Sequence, residues 1–191
     1  MISPPHVARG VRSLSPLRKL ELAMLLLFAI WLGLVLLAPF TLPSGSVTDL
    51  SGRATSVDNA DQIAGMNPLA AAVYWAGDVN CHQLPSRSYF LNGNQMPFCA
   101  RDLGVFVGLV AGMALALLTS ARPSPLLVAL GFLPLALDGG WQLLTDYESS
   151  NALRLLTGIL AGMSAAMLIH LLAMSRVARS PPARARKGAS R

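Results

Sequence analysis

The sequence predicts an all-α membrane protein with four transmembrane helices and a short half-helix on the outer side of the membrane. Of its 191 residues, 53% are hydrophobic and only 13% are charged, which is about half of the charged fraction of a typical soluble domain. The mean hydropathy is +0.53. Four apolar runs each approach the length of roughly 20 residues with which a helix spans a bilayer.

The four runs follow one another along the chain with loops between them. They are Leu22–Phe40, Leu103–Ala121, Pro123–Asp138 and Leu155–Ser175. The first is longer than the apolar core of a signal peptide and lacks a small-residue cleavage site, so we expect it to be retained. The third reaches the length of a span only if its helix continues past Asp138 to Leu144.

A further apolar segment, Leu69–Asn80, is too short to cross the membrane. We expect it to form the half-helix, with Tyr74 and Trp75 at the level of the lipid headgroups. These segments divide the chain into a basic cytoplasmic tail (1–20), a first transmembrane helix (21–40), an outer loop (41–68), a membrane domain with three transmembrane helices (69–174) and a basic disordered tail (175–191).

The distribution of charge predicts the orientation of the chain and its partners. Ten of the fifteen basic residues precede Leu22 or follow Ser175, and the body between them has five basic residues against eight acidic ones. Basic segments that flank apolar helices are typical of cytoplasmic ends, and four spans place both ends on one side. We expect cytoplasmic termini, contacts of the tails with anionic inner-leaflet lipids of the bilayer, and no nucleic-acid partner.

Glycine recurs at every fourth position in two of the predicted spans. The second span contains Gly104, Gly108 and Gly112, and the fourth contains Gly158 and Gly162. Such stripes of small residues allow two helices to approach closely. We expect the stripes to pack inside a four-helix bundle, and a homodimer formed through them is the alternative.

The segment from Cys81 to Asp102 contains the residues best suited to chemistry. Cys99 and Asp102 open the second span three residues apart and share one face of it, while Cys81 and His82 close the half-helix. Thiolate, imidazole and carboxylate groups bind zinc or iron, so Cys81, His82, Cys99 and Asp102 are the predicted metal ligands. A structural disulfide is equally consistent with these residues, because the loop is predicted to lie outside and the cysteine count is even.

Polar residues of the third and fourth spans are expected near the same membrane surface. Asp138 and Gln142 lie one helical turn apart, and a carboxylate within a span needs a partner. Arg154 and Arg101 are the available cations. We expect Asp138, Gln142 and Arg154 to surround the metal ligands and to orient them. The alternative is a structural ion pair between Asp138 and Arg154.

An ordered set of motifs extends from about Tyr74 to His170. It consists of Cys81-His82-Gln83, Arg87-Ser88, Gly93, Pro97, Cys99-Ala100-Arg101-Asp102-x-Gly104, Gly108, Asp138-Gly139-x-x-Gln142, Asn151-x-x-Arg154 and Gly158. It resembles the small prokaryotic membrane proteins grouped as domain of unknown function 2085. In that family a cysteine often stands at the position of Asp102. Because a carboxylate can replace a thiolate in a metal site but not in a disulfide, the resemblance favours the metal.

The sequence therefore predicts a multi-pass protein of the prokaryotic inner membrane with an outer-facing Cys/His/Asp site that binds zinc or iron. The alternative is a non-enzymatic membrane module, such as a small carrier or accessory subunit, with a structural disulfide between Cys81 and Cys99. A catalytic thiol pair is a weaker hypothesis, because Asp102 stands where a C-x-x-C motif has its second cysteine.

Overall fold

The computed structural model describes residues 14–53, 55–119 and 122–179, and it consists of long helices with one small β-hairpin. The helices are α1 (Pro16–Leu37), α2 (Ala60–Ala64), α3 (Pro68–Asn80), α4 (Ala100–Thr119), α5 (Pro125–Gly131), α6 (Leu133–Leu144) and α7 (Asn151–Arg179). The strands β1 (Ser88–Leu91) and β2 (Asn94–Cys99) pair antiparallel. Short 3-10 turns cover Ala38–Thr41 and Pro85–Arg87.

Four helical segments are long and apolar enough to span a membrane, which confirms the predicted fold. They are Pro16–Thr41, Ala100–Thr119, Pro125–Leu144 and Asn151–Arg176. The third combines α5 and α6, and it continues past Asp138 as expected. The helix is interrupted at Phe132 because Pro134 lacks an N–H group and its ring crowds the carbonyl of Leu130.

The glycine stripes bring α4 and α7 into the closest contact in the bundle. Gly104 and Gly108 of α4 face Gly158 and Gly162 of α7. A Cβ atom added at Gly104 would collide with the backbone oxygen of Leu155, so only glycine permits this approach. The expected packing within one bundle is confirmed. The stripes therefore cover each other inside the chain.

The other spans present leucines on their outer surfaces. Leu26 of α1 is 53% exposed, Leu127 of α5 is 68% exposed and Leu143 of α6 is 85% exposed. Leucine side chains exposed in this way on membrane-spanning helices are suited to contact with lipid tails. The bilayer is therefore the natural surrounding of α1, α5 and α6.

A buried polar contact joins the first span to the last. Glu21 Oε1 lies 2.7 Å from His170 Nδ1, and both side chains are almost fully buried. Glu21 is near the start of α1 and His170 is near the end of α7. The beginning and the end of the bundle therefore lie at the same end, as an even number of spans requires.

Residues 38–53 and 55–99, called the cap below, form a folded layer at the other end of the bundle. Two side chains of β2 organise this layer. Asn94 donates to the carbonyl of Pro39 (2.9 Å), and Gln95 accepts from the backbone N–H of Leu50 (2.9 Å). The Tyr74 hydroxyl donates to the backbone oxygen of Gln95 (2.7 Å). These bonds satisfy polar groups inside the cap and fix the hairpin against α3.

The predicted half-helix is present as α3, but the expected place of Tyr74 was wrong. Asn67 caps the helix by accepting from the N–H of Ala70 (3.1 Å). Trp75 is 54% exposed, whereas Tyr74 is fully buried in the cap. The hydroxyl of Tyr74 finds its partner in the hairpin, so it needs no contact with water or headgroups.

The β-hairpin was not predicted, although the sequence carries its signal. Asn92 and Gly93 connect the two strands with φ angles of 53° and 70°. Left-handed conformations at both central residues define a type I′ turn, for which Asn-Gly is the favoured pair. The same dipeptide between two apolar runs would have indicated a hairpin.

The first and the last helix both extend beyond their predicted boundaries. α1 begins at Pro16, inside the predicted basic tail 1–20, and α7 continues to Arg179, inside the predicted disordered tail 175–191. No proline or glycine interrupts the helix between Ser175 and Arg179, so it continues into the basic segment. The remaining tail residues, 1–13 and 180–191, lie outside the described ranges.

Candidate metal centre

The candidate metal centre lies where the cap meets the bundle, and three elements supply it. Cys81 follows the last residue of α3, Cys99 ends β2, and Asp102 lies in the first turn of α4. The first turn of a helix favours a carboxylate because free N–H groups point toward it. The junction of β2 and α4 therefore supplies Cys99 and Asp102, and the end of α3 brings Cys81 to them.

Close packing of α3 on β2 brings the two cysteines together. A Cβ atom added at Gly77 would collide with the backbone oxygen of Pro97, so a side chain at this position would push the two elements apart. Gln83 strengthens the contact by donating from Nε2 to the same oxygen (2.8 Å). Cys81 is thereby held beside Cys99, whose backbone N–H lies 3.4 Å from the Cys81 sulfur.

The three side chains form a compact group of donor atoms. The sulfurs of Cys81 and Cys99 and a carboxylate oxygen of Asp102 all lie within 4.8 Å of one another. Cys99 Sγ is 3.2 Å from Asp102 Oδ2, and the thiol donates to the carboxylate. Both cysteines are free thiols. Cys81 is buried, whereas Cys99 and Asp102 are half-buried.

The two thiols titrate as a coupled pair. The hydrogen bond between the sulfurs lowers the pKa of Cys99 and raises the pKa of Cys81, and burial raises the pKa of Cys81 further. The charge of the Asp102 carboxylate opposes the loss of a proton from Cys99. Cys99 is therefore the thiol of the pair that loses its proton more readily.

His82, the fourth predicted ligand, is not part of this group. Its side chain is exposed, and the cluster of donor atoms contains only Cys81, Cys99 and Asp102. His82 instead lines a cavity of about 70 Å³ that is also lined by Cys81 and Cys99. Because three arginines also line it, this cavity is called the arginine cavity below; it is lined by Cys81, His82, Gln83, Leu84, Arg87, Cys99, Arg101, Gln142 and Arg154.

Arg101, and not Arg154, is the partner of the buried carboxylate Asp138. Arg101 Nη2 lies 2.6 Å from Asp138 Oδ2 and 3.3 Å from Gln142 Oε1. The alternative ion pair between Asp138 and Arg154 is therefore wrong. Arg101 directly precedes Asp102 on α4. The arginine that pairs with Asp138 of α6 therefore belongs to the same helix turn as Asp102.

Arg154 lies deep in the same region with a different set of partners. It is 2% exposed, its Nη1 donates to Asn151 Oδ1 (3.1 Å), and its Nη2 is 3.6 Å from Glu148 Oε1. Arg87 of the cap reaches the same glutamate oxygen at 3.1 Å. Sequence reasoning missed this use of Glu148, because a single acidic residue in a short loop carries no periodic signal.

The structure thus places the predicted residues in two adjoining sets. Cys81, Cys99 and Asp102 form the donor group, and Gln142 and Arg154 line the arginine cavity beside it. Asp138 lies behind the cavity and is bound to Arg101. Four membrane-spanning helices with this group at the foot of a folded cap define a polytopic membrane protein with a candidate metal centre.

The chain belongs to a family of predicted membrane proteins, DUF2085, whose model matches residues 81–168. It is 33% identical over 106 residues to an uncharacterized protein of Methanocaldococcus jannaschii, covering 53% of this chain and 68% of that protein. It is 34% identical over 95 residues to an uncharacterized protein of Methanothermobacter thermautotrophicus, covering 48% of this chain and 86% of that protein. No solved structure matches the chain.

Proposed function

We propose that this membrane protein binds one thiophilic metal ion, zinc or iron, through Cys81, Cys99 and Asp102. The observation that carries the proposal is the convergence of three ligand-type atoms from separate elements within 4.8 Å. Two thiolates and a carboxylate match the ligand chemistry of zinc and of ferrous iron.

The size of the donor group is compatible with an ion between the three atoms. Two sulfurs bound to one tetrahedral zinc at about 2.3 Å each lie about 3.8 Å apart. The three donor atoms lie at most 4.8 Å apart. To bind one ion, the two sulfurs would therefore approach each other by about 1 Å at most. Rotation of the half-buried Cys99 and Asp102 side chains supplies such a change without movement of the backbone.

Three protein ligands leave one coordination position to be filled. His82 follows Cys81 directly and lines the adjoining cavity, so it is the remaining candidate for the fourth ligand. If His82 does not bind, the position is open to water or to a substrate, and a bound ion would supply Lewis acidity there. Removal of the His82 ring distinguishes these two cases.

The surrounding charges suit such a site. A divalent ion with two thiolates and one carboxylate has a net charge of −1. Arg101 and Arg154 line the cavity next to Cys99, so positively charged groups lie beside the proposed ligands. With Asp138 and Gln142 holding Arg101 in place, these residues orient the ligands from outside the coordination sphere.

We infer further that the cap faces the outside of an inner membrane and that both ends of the chain are cytoplasmic. The support is the concentration of basic residues before Leu22 and after Ser175, which is typical of cytoplasmic flanks. The same residues favour contact with anionic lipids of the inner leaflet.

Metal analysis of the full chain purified in detergent tests the proposal. We expect close to one zinc or iron per wild-type chain and a loss of most of it in Cys99→Ala. His82→Ala tests the fourth coordination position, because His82 is exposed beside Cys81 and absent from the donor group. Metal retained in this variant leaves three protein ligands, whereas metal lost in it makes His82 the fourth. No metal in the wild type contradicts the proposal.

The second candidate is a non-enzymatic membrane module with a Cys81–Cys99 disulfide. The observation that favours it is the hydrogen-bond contact of the Cys99 backbone with the Cys81 sulfur (3.4 Å), which places both side chains within reach of each other. Mass measurement after alkylation without reductant separates the two. Two blocked thiols support the metal site, and labelling that appears only after reduction supports the disulfide.

A further inference from the structure

We propose that the arginine cavity binds a small oxyanion, a phosphate or carboxylate group, between the cap and the bundle. The cavity has guanidinium groups from the cap (Arg87), from α4 (Arg101) and from α7 (Arg154) on its walls. The inference rests on these cations and does not depend on whether the neighbouring thiols hold a metal.

Two of the three arginines share a single carboxylate. Arg87 Nε lies 3.1 Å and Arg154 Nη2 lies 3.6 Å from the same oxygen of Glu148. The Glu148 side chain is 57% exposed, so water weakens its attraction for both. This side of the cavity therefore has an excess of one positive charge, which one anion would balance.

Arg154 provides the strongest evidence for an anion site. Its side chain is 97% buried, and within the described part of the chain its Nη2 atom has no hydrogen-bond partner. A buried charged donor without a hydrogen bond is costly. An oxyanion in the cavity that Arg154 lines would accept from this atom.

Two further donors belong to the same cavity wall. Arg101 Nε and Gln142 Nε2 are buried and have no hydrogen-bond partner among the described residues. Arg101 Nη2 is engaged on the other side, where it binds Asp138 Oδ2 (2.6 Å) and Gln142 Oε1 (3.3 Å). Asp138 Oδ1 is also unpartnered, but Asp138 does not line the cavity. N–H donors on planar guanidinium and amide groups match the oxygens of a phosphate or carboxylate.

The size of the cavity limits the ligand to a small group. Its volume is about 70 Å³, and since about 10–15 Å³ accommodates one water, it holds a group of a few heavy atoms. A phosphate or a carboxylate fits this limit as a free anion or as part of a lipid headgroup, since the cavity lies where the cap meets the spans. The chemistry recognised is the same in both cases.

Thermal unfolding of the purified full chain in detergent, with inorganic phosphate as the probe, tests the proposal. Chloride keeps the ionic strength constant. We expect a saturable rise in the unfolding temperature of the wild type and at least a tenfold loss of apparent phosphate affinity in Arg87→Met, a half-exposed residue whose loss leaves the core intact. Arg154→Met should show the same loss. Arg122→Met, an exposed arginine at the opposite end of the bundle, is the control and should respond like the wild type.

A lipid arm of the experiment distinguishes the sources of the anion. The protein is placed in nanodiscs of phosphatidylglycerol or of phosphatidylcholine, and phosphate is added to each. A phosphate response in both identifies a free anion. A response only in phosphatidylcholine, with extra stability in phosphatidylglycerol that Arg87→Met abolishes, identifies the headgroup.

The proposal is overturned if neither inorganic phosphate nor phosphatidylglycerol stabilises the wild type. It is also overturned if phosphate stabilises Arg87→Met as strongly as Arg122→Met. Asp102→Ala, which removes a proposed metal ligand that does not line the cavity, separates this result from the fate of the metal site. We expect this variant to keep its phosphate response, and we expect Arg87→Met to keep the metal content of the wild type. A normal metal content without a phosphate response contradicts the anion site alone.

Discussion

The Arg101 guanidinium and the Asp138 carboxylate lie 2.6 Å apart and connect α4 to α6 beside the candidate metal centre. The Asp138 side chain is 5% exposed and that of Arg101 is 24% exposed. Because Arg101 precedes Asp102 in the chain, this ion pair anchors the helix turn that carries Asp102, one of the three proposed metal ligands.

The ion pair predicts a strong coupling in a double-mutant cycle. We expect Arg101→Met or Asp138→Asn alone to lower the free energy of unfolding by about 3 kcal/mol, because each leaves an uncompensated buried group. The double variant should regain much of that loss. Unfolding in detergent measures the three variants, and additive losses in the double variant would show that the two side chains do not interact.

The glycine contact between α4 and α7 predicts a position-specific sensitivity to alanine. Gly158→Ala forces a Cβ atom against the backbone of α4, and such overpacking costs about 1–3 kcal/mol. Gly33→Ala in α1 is the matched control, because nothing lies within 4 Å of its added Cβ. The control should be neutral or slightly stabilised through helix propensity. Equal stability of the two variants would argue against the close contact.

The two cysteines should differ in their rate of alkylation. Cys99 is half-buried and has the lowered pKa, whereas Cys81 is buried and has the raised pKa, so Cys99 should react first. Zinc added before the reagent should slow both reactions. Peptide mass spectrometry after brief treatment with N-ethylmaleimide resolves the order. Modification of Cys81 first, or at a rate that zinc does not alter, is the opposite result.

The orientation of the chain predicts labelling from opposite sides of the membrane. In a Cys81→Ser/Cys99→Ser background, Ser51→Cys lies in the cap and Gly188→Cys lies in the basic segment beyond the described residues. A membrane-impermeant thiol reagent applied to intact cells should label position 51 and not position 188. Labelling of both positions would require an even number of spans between them.

Much of the membrane fold was predictable because its signal is local. The apolar runs determine the spans, and the three-residue spacing of Cys99 and Asp102 places them on one face of α4. The hairpin was also predictable from the sequence, because Asn-Gly, here Asn92-Gly93, is the dipeptide favoured in a two-residue hairpin turn.

The approach of Cys81 to Cys99 was not predictable in the same way. It depends on the packing of Gly77 against Pro97, a contact between elements whose relative position no local pattern describes. The partner of Asp138 depends on how the helices are rotated about their axes. Two arginines were available in the sequence, and only the three-dimensional arrangement selects Arg101 over Arg154.

X-ray absorption at the zinc or iron edge of the purified protein tests the central claim most directly, because it reports the atoms bound to the metal. We expect two sulfur neighbours, at about 2.3 Å for zinc, with oxygen or nitrogen neighbours at about 2.0–2.2 Å, and the loss of one sulfur in Cys99→Ser. A metal surrounded only by oxygen and nitrogen, or a spectrum unchanged in Cys99→Ser, would contradict a site built on Cys81, Cys99 and Asp102.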